Sequence, residues 1–289
     1  VLLPHGVTTV VTDPHEIANV AGIEGIQFML DDAAKSPMDI YVMLPSCVPS
    51  TSFEHAGAIL QAEDLSPLLA HPSVIGLAEV MDYPAVLNGD ESMLAKIAMT
   101  QQAKLRIDGH GAGLQHDQIR GYRVAGIQTD HECTSADEAL DRVEQGMYVL
   151  IREGSAAKNL HDLLPAVTAQ NARRFLFCTD DKHLDELVDE GSIDHAIRLS
   201  MKAGMEPLQA IQIATINAAE CYGLNGKGAL APGFEADFVL LDNLETLEIS
   251  SVWKKGVLVS QKGEMVTSTT SMTDCSDRIR QSVHLPSLT

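Results

Sequence analysis

The sequence is poor in basic residues: 20 lysines and arginines stand against 40 aspartates and glutamates, a formal net charge of −20. Binding to nucleic-acid phosphates needs clustered Lys and Arg, so we expect no nucleic-acid partner. No apolar run reaches the ~18 residues that a membrane helix needs, and no signal peptide opens the sequence, so we expect no membrane partner. The five cysteines are odd in number and never spaced C-x-x-C, which favours reduced thiols in the cytoplasm over a disulfide framework.

Several signatures of cofactor binding and catalysis are also missing. No G-x-G-x-x-G follows a strand-like run. His15-Glu16 and His131-Glu132 lack the second histidine of a metalloprotease helix. The P-C-x-x-C and H-x-E pair of zinc nucleoside deaminases is absent, and so is a G-x-S-x-G elbow. Scattered polar residues at strand ends therefore remain as the candidates for chemistry.

Short β-branched or apolar runs alternate with helical patterns along the chain. The runs are residues 7–12, 40–44, 74–80, 105–107, 126–128, 147–151 and 175–178. The helical patterns include residues 91–102, 135–145, 160–171, 193–203 and 207–221, and Ser135 with Glu138 has the spacing of a capping box. Strand–helix alternation indicates parallel strands with crossover helices, an α/β fold.

Seven runs are one fewer than a closed barrel of this type needs. We interpret the chain as an incomplete (β/α)8 TIM-type barrel that lacks its first strand; an open doubly wound sheet is the alternative. The predicted domains are the barrel at 1–222, part of a small flanking β-domain at 223–262, and a linker or the start of a truncated C-terminal domain at 263–289. Residues 226–242 and 252–259 are turn-rich and β-like, with a tight turn at Pro232-Gly233.

In such a barrel the carboxyl ends of the strands carry the active site. Glu79, His110, His131 and Asp180 all fall at predicted strand ends. Nitrogen and oxygen ligands of this kind suit Zn, Mn or Fe. Each residue also has a structural alternative: a hydrogen-bonded histidine, a glutamate paired with a base, or an aspartate that caps a helix. Four such residues at strand ends favour a metal site.

At this point the chain resembles a known family. These four residues look like the ligands of the amidohydrolase superfamily of metal-dependent hydrolases, and residues 228–237 (GALAPGFEAD) match the G-x-L-x-P-G-x-x-A-D segment of its flanking β-domain. Residues 5–20, 78–83, 107–113, 128–133 and 178–182 are most similar to the family of bacterial adenine deaminases. The stretches TDPHEIANV and AEVMD are the most specific part of this resemblance, which covers nearly the whole chain.

The resemblance implies a function and a set of site residues. The function is hydrolytic deamination of adenine to hypoxanthine and ammonia, in purine salvage, at a binuclear divalent metal centre in which Mn or Fe is favoured over Zn. The metal ligands are Glu79, His110, His131 and Asp180, with Asp180 preferred to its neighbour as ligand and Glu79 in the place of a carboxylated lysine. Asp180 and Glu79 are the catalytic residues, and His15, Glu16 and Asp181 are expected to bind the substrate.

One departure from the family pattern concerns the His-x-His pair of the first strand, which this sequence does not contain. We therefore expect the 289 residues alone to be inactive. The alternatives that stay open are another deaminase or an N-deacetylase of the same superfamily, and a barrel without catalytic activity. A homo-oligomer is also left open.

Overall fold

The computed structural model describes residues 1–51, 53–266 and 273–283, and strands and helices alternate along them. The strands are β1 (Thr9–Thr12), β2 (Asp39–Leu44), β3 (Val74–Val80), β4 (Arg106–Gly109), β5 (Thr129–Asp130), β6 (Tyr148–Arg152), β7 (Phe175–Cys178), β8 (Phe238–Asn243), β9 (Glu248–Lys254), β10 (Val257–Gln261) and β11 (Glu264–Met265). The helices are α1 (His15–Ala33), α2 (Ala62–Leu65), α3 (Tyr83–Asn88), α4 (Glu91–Gln102), α5 (His116–Val124), α6 (Ala136–Glu144), α7 (Leu160–Leu163), α8 (Leu184–Asp189), α9 (Ile193–Lys202), α10 (Pro207–Ala214), α11 (Ile216–Tyr222) and α12 (Asp277–Arg280). Short 3-10 helices cover Leu3–His5, Ser66–Ala70, Leu164–Ala166 and Ala172–Arg174.

The first of two compact units, here the β1–β4 unit, comprises Thr9–His110, Gly121–Ile127 and the described part of Thr269–Thr289. Its four strands are all parallel and lie in the order β1-β2-β3-β4. Val42 and Leu44 on β2 pack with Ile26 and Leu30 of α1, and all four side chains are buried. Helix α1 therefore covers one face of the sheet, as expected for a crossover connection.

The second, the β5–β11 unit, comprises Val1–Thr8, Gly111–Arg120 and the described part of Gln128–Ser268. Strands β5, β6 and β7 form a parallel sheet, and β8 to β11 form an antiparallel sheet in the order β11-β10-β9-β8. The parallel sheet is buried through Ile151 and Phe175, which pack with Ala196 of α9 and Ile213 of α10. The seven parallel strands, four in one unit and three in the other, confirm the predicted α/β class.

Two local predictions are wrong, each for a physical reason, and one helical pattern is divided between two helices. The helix predicted at 160–171 ends at Leu163 as an α-helix, because Pro165 has no N–H to continue the ladder. The helical pattern at 207–221 is confirmed as helical but is divided into two helices, since Thr215 departs from helical geometry (φ −124°, ψ −88°). The strand predicted at 126–128 lies at Thr129–Asp130, where it pairs with Tyr148 and Val149.

The predicted start of α6 is confirmed in part. The Ser135 hydroxyl accepts a hydrogen bond from the backbone N–H of Glu138 at 3.3 Å, as an N-cap does. The Glu138 carboxylate accepts from the N–H of Thr134 at 2.7 Å, one residue earlier than a capping box requires.

The antiparallel sheet of β8 to β11 agrees with the turn-rich, β-like sequence predicted from residue 226 onward. The turn at Pro232-Gly233 is closed by the N–H of Phe234, which donates to the carbonyl of Ala231 at 3.0 Å. The domain boundaries at 222 and 262 stay a prediction, and residues 267–272 and 284–289 of the predicted C-terminal segment lie outside the described residues. Within the described part of the chain, no helix combines the length and the apolar character that crossing a bilayer requires.

Candidate active site

Two predicted ligands of the β1–β4 unit lie side by side at the ends of neighbouring strands. Parallel pairing aligns Val80 of β3 with Gly109 of β4, which places Glu79 next to His110. Nδ1 of His110 lies 3.0 Å from Oε2 of Glu79. Tyr122 fixes both strand ends, because its hydroxyl accepts from the N–H of His110 at 2.9 Å and donates to the carbonyl of Val80 at 2.7 Å. The pairing of the strands therefore creates a histidine–carboxylate pair.

The segment after β1 adds a second histidine to this pair. Nδ1 of His15 lies 2.9 Å from Oδ2 of Asp13 and 3.6 Å from Oε1 of Glu79, and Nε2 lies 3.1 Å from Oε1 of Glu16. The hydrogen bond to Asp13, with that to Glu16, raises the pKa of His15 to about 11. His15 is therefore a cation at neutral pH, surrounded by three carboxylates.

The β5–β11 unit has its own cluster at strand ends. The ligand atoms of His131, Glu132 and Asp180 all lie within 4.8 Å of one another. Arg152, the last residue of β6, joins two of them: its Nη1 donates to Oδ2 of Asp180 at 2.6 Å and also to Glu132. Hydrogen bonding to these two carboxylates helps to raise the pKa of Arg152 against the effect of its burial, so Arg152 stays charged.

Asp180 has an unusual backbone. Its φ of 52° lies in the left-handed region, where aspartate is found more often than most other residues. The N–H of Asp181 donates to Oδ1 of Asp180 at 2.8 Å, so both carboxylate oxygens accept hydrogen bonds. The conformation of the loop and these two donors fix the direction in which Asp180 presents its carboxylate.

The donor atoms suit a divalent cation. In the β1–β4 unit, Glu79 and His110 offer a carboxylate oxygen and an imidazole nitrogen 3.0 Å apart, and in the β5–β11 unit the ligand atoms of His131, Glu132 and Asp180 lie within 4.8 Å of one another. Carboxylate oxygen and imidazole nitrogen are the ligands that Zn, Mn and Fe accept. The chain thus contains candidate metal-ligand groups in both units.

The structure brings the predicted residues together in two sets. Glu79, His110, His15 and Glu16 lie together in the β1–β4 unit, and His131, Asp180 and Asp181 lie together in the β5–β11 unit. The side chain of Asp181 is exposed, and its carbonyl accepts from the N–H of Ser155 at 2.9 Å. The role of each residue stays a prediction.

No role was predicted for the partners of these residues. Asp13, Glu132 and Arg152 each contact a predicted site residue at hydrogen-bond distance. Asp13 and Arg152 stand at strand ends, and Glu132 directly follows a predicted ligand, so position alone could have indicated all three.

The amidohydrolase family model matches residues 1–259 of this chain. The adenine deaminase of Lysinibacillus sphaericus is 66% identical over 289 residues, which are 100% of this chain and 50% of that protein. That of Geobacillus kaustophilus is 62% identical over 266 residues, 92% of this chain and 46% of that protein. The chain therefore spans about half the length of the curated relatives that it matches.

Solved structures show the fold at much lower sequence identity. The β-aspartyl dipeptidase of Fervidobacterium islandicum AW-1 is 16% identical with a TM-score of 0.66, covering 93% of this chain and 77% of that one. The N-acetyl-D-glucosamine-6-phosphate deacetylase of Mycobacterium smegmatis is 17% identical with a TM-score of 0.63, covering 87% and 74%. These likenesses confirm the predicted barrel type and argue against the open doubly wound sheet. On the match to 259 of its 289 residues, this chain belongs to the amidohydrolase family.

Proposed function

We propose that the protein catalyses the hydrolytic deamination of adenine to hypoxanthine and ammonia, a reaction of purine salvage, in the cytoplasm. One observation carries the proposal: the predicted ligands of each unit lie together at strand ends, Glu79 beside His110 and His131 beside Asp180. The support for adenine as the substrate is the 50–66% identity to adenine deaminases along nearly the whole chain.

We assign the metal to Glu79, His110, His131 and Asp180. Imidazole and carboxylate ligands suit divalent ions such as Zn, Mn and Fe, and the resemblance implies a pair of them and favours Mn or Fe over Zn. When bound, such ions stabilise hydroxide, so that water loses a proton near neutral pH. All remaining steps belong to side chains of the protein.

In this proposal Asp180 moves the proton between water and the leaving group. Its carboxylate accepts the proton of the attacking water and passes it to the amine of adenine, which leaves as ammonia. Arg152 and the N–H of Asp181 hold the two oxygens of Asp180 in place, so that the carboxylate does not have to reorient between the two transfers. Glu79 takes up the remaining proton of the attacking oxygen and gives it to a ring nitrogen of adenine, so that the C6 carbonyl of hypoxanthine forms as the C–N bond to the amine breaks.

The residues assigned to the substrate are His15, Glu16 and Asp181. His15 is a cation held by Asp13 and Glu16, so it places a positive charge at a defined position beside Glu79. Glu16 and Asp181 supply acceptors for the amino hydrogens of the purine. Asp181 is exposed, as a residue at the mouth of a site would be.

The test uses the protein in its full natural length, loaded with Mn and incubated with adenine. Hypoxanthine is identified chromatographically and ammonia is quantified. We expect Asp180→Asn to abolish turnover with an unchanged circular dichroism spectrum, whereas Asp181→Asn raises KM more than it lowers kcat. Asp189→Asn, at the exposed end of α8, is the matched control and should behave as the wild type.

Two results would contradict the proposal. Near-wild-type turnover of Asp180→Asn would remove Asp180 from the mechanism. Release of ammonia from another purine, a pyrimidine or an N-acetylated amine, but not from adenine, would favour a different amidohydrolase reaction. Metal analysis separates the catalytic proposal from a barrel without activity, because a binding module has no reason to retain about two transition-metal ions per chain.

A further inference from the structure

A fully buried ion pair lies directly beside a proposed ligand. Asp130, the last residue of β5, is 0% exposed, and Arg142 of α6 is 1% exposed. Nε of Arg142 donates to Oδ2 of Asp130 at 3.0 Å. Asp130 immediately precedes His131, yet neither member of the pair has a place in the proposed chemistry.

The carboxylate of Asp130 binds the backbone on both sides of this point. Its Oδ1 accepts from the N–H of Glu132 at 3.0 Å, which closes a turn around His131. The same oxygen accepts from the N–H of Gly111 at 2.9 Å. The backbone that carries His131 is therefore tied to a side chain that is itself immobilised by Arg142.

Arg142 completes this set of contacts from the other side. Its Nη2 donates to the carbonyl of Gly111 at 3.0 Å, so Asp130 and Arg142 together satisfy both backbone groups of Gly111. A Cβ on residue 111 would lie 2.6 Å from Oδ2 of Asp130, so the loop approaches this closely only because residue 111 is glycine. The ion pair, the turn around His131 and the absence of a side chain at residue 111 therefore depend on one another.

Burying an ion pair costs free energy, because both charges lose their hydration. Well-packed apolar residues of similar volume are often as stabilising as a buried pair or more so. What an apolar pair cannot supply is an acceptor for two backbone N–H groups and a donor for one carbonyl. The pair therefore has a geometric role: its hydrogen bonds hold the backbone around His131 in one position.

We propose that Asp130 and Arg142 are positioning residues that hold His131 in the orientation in which it binds the metal. The inference rests on the proposed metal site. Residues that orient a ligand in this way commonly change metal affinity 10–100-fold when they are replaced, although they do not contact the metal.

The test measures metal affinity, with full-length protein and with Mn alone as the probe, by competition with a chromophoric chelator. Asp130→Asn keeps one oxygen for the two N–H groups but loses the charge that immobilises it. We expect its affinity for Mn to fall about 10–100-fold. Arg142→Lys keeps the charge but replaces the planar guanidinium, whose Nε and Nη2 bind Asp130 and Gly111, with a single ammonium nitrogen. Its affinity for Mn should lie between those of the wild type and Asp130→Asn.

Asp194→Asn is the matched control. Asp194 is also buried, at 4% exposure, and pairs with Arg198 at 2.8 Å and with His5 at 3.0 Å in the same unit. Its replacement should lower thermal stability but leave the affinity for Mn unchanged. If Asp130→Asn does not fold, the affinity of Arg142→Lys for Mn, compared with that of the wild type, tests the proposal.

The outcomes separate this inference from the proposed function. Wild-type affinity for Mn in Asp130→Asn, or in Arg142→Lys where only that variant folds, would overturn the positioning role while leaving the metal site intact. A wild-type protein that binds no divalent metal would overturn both. A wild-type protein that binds Mn but does not deaminate adenine would overturn the substrate assignment and leave the positioning role standing.

Discussion

Gly111→Ala is the substitution that most sharply separates packing from backbone strain near His131. The new Cβ would lie 2.6 Å from Oδ2 and 3.1 Å from Cγ of Asp130, where contacts under 3.0 Å are essentially never found. Asp130 cannot yield without loosening its contacts with Arg142 and with the N–H of Glu132. The clash must therefore be relieved by moving the turn around His131.

The expected loss of stability follows from the burial of this contact. Overpacking a well-packed site costs about 1–3 kcal/mol. At roughly 2–4 °C per kcal/mol for domains of this size, the midpoint of thermal unfolding should fall by several degrees. Because the displaced carboxylate holds the turn at His131, the affinity for Mn should fall as well, by about tenfold or more.

Gly113→Ala in the same loop is the matched control. A Cβ there meets nothing within 4 Å, but φ is +69°, so the cost is left-handed backbone strain of about 1–2 kcal/mol. Calorimetry should show similar losses of stability for the two variants. Chelator competition should show weaker Mn binding for Gly111→Ala alone. Equal Mn affinity in the two variants would refute the reasoning.

Two further predictions concern buried lysines. Burial lowers the pKa of Lys96, so between that pKa and its ordinary value near 10.5 the unfolded chain binds the proton and the folded one does not. The free energy of unfolding should therefore rise with pH in that window, and Lys96→Met should abolish the rise in urea titrations; an equal rise in the variant would contradict this. Lys254→Met removes the partner of Asp237 at 2.6 Å, although Asp237 keeps Lys227 at 3.5 Å and the N–H of Lys255 at 2.7 Å, and should destabilise the folded protein by about 1–3 kcal/mol. Arg173→Ala, at an exposed pair, should have no measurable effect. Equal unfolding free energies for these last two variants would contradict the difference in burial.

The elements with the clearest sequence patterns were predicted with the bounds that the structure shows. The β-rich runs 74–80 and 175–178 are β3 and β7, and the helical pattern 91–102 is α4. In each case periodicity, or an apolar or β-branched composition, agrees with burial in the folded chain. Local composition was enough because nothing in the tertiary structure opposed it.

The errors arose where one residue or a distant partner decided the outcome. Pro165 ends α7 in spite of the helical pattern around it. Strand β5 is two residues long and is defined by its pairing with β6, so no local run could locate it. Positions at strand ends were the basis of the site prediction: Glu79, His110, His131 and Asp180 were chosen because parallel strands end at a common edge, and their roles stay predictions.

The partners of the site residues were harder to predict. Arg142 lies 12 residues after Asp130, on a helix that returns over the strand, and nothing local distinguishes it from an exposed helix arginine. Arg152 reads from the sequence as the end of a strand, but its contacts with Glu132 and Asp180 depend on how β6 and β7 pair. Which side chains pair with one another is therefore decided by the tertiary structure.

The assignment of Glu79, His110, His131 and Asp180 as metal ligands can be tested directly by anomalous diffraction. Crystals of the Mn-loaded, full-length protein would be measured at the manganese absorption edge. We predict two peaks per chain, with coordinating atoms of all four residues at about 2.0–2.2 Å from one or both. Peaks that leave His131 or Asp180 outside coordination distance, or no peaks at all, would contradict the assignment.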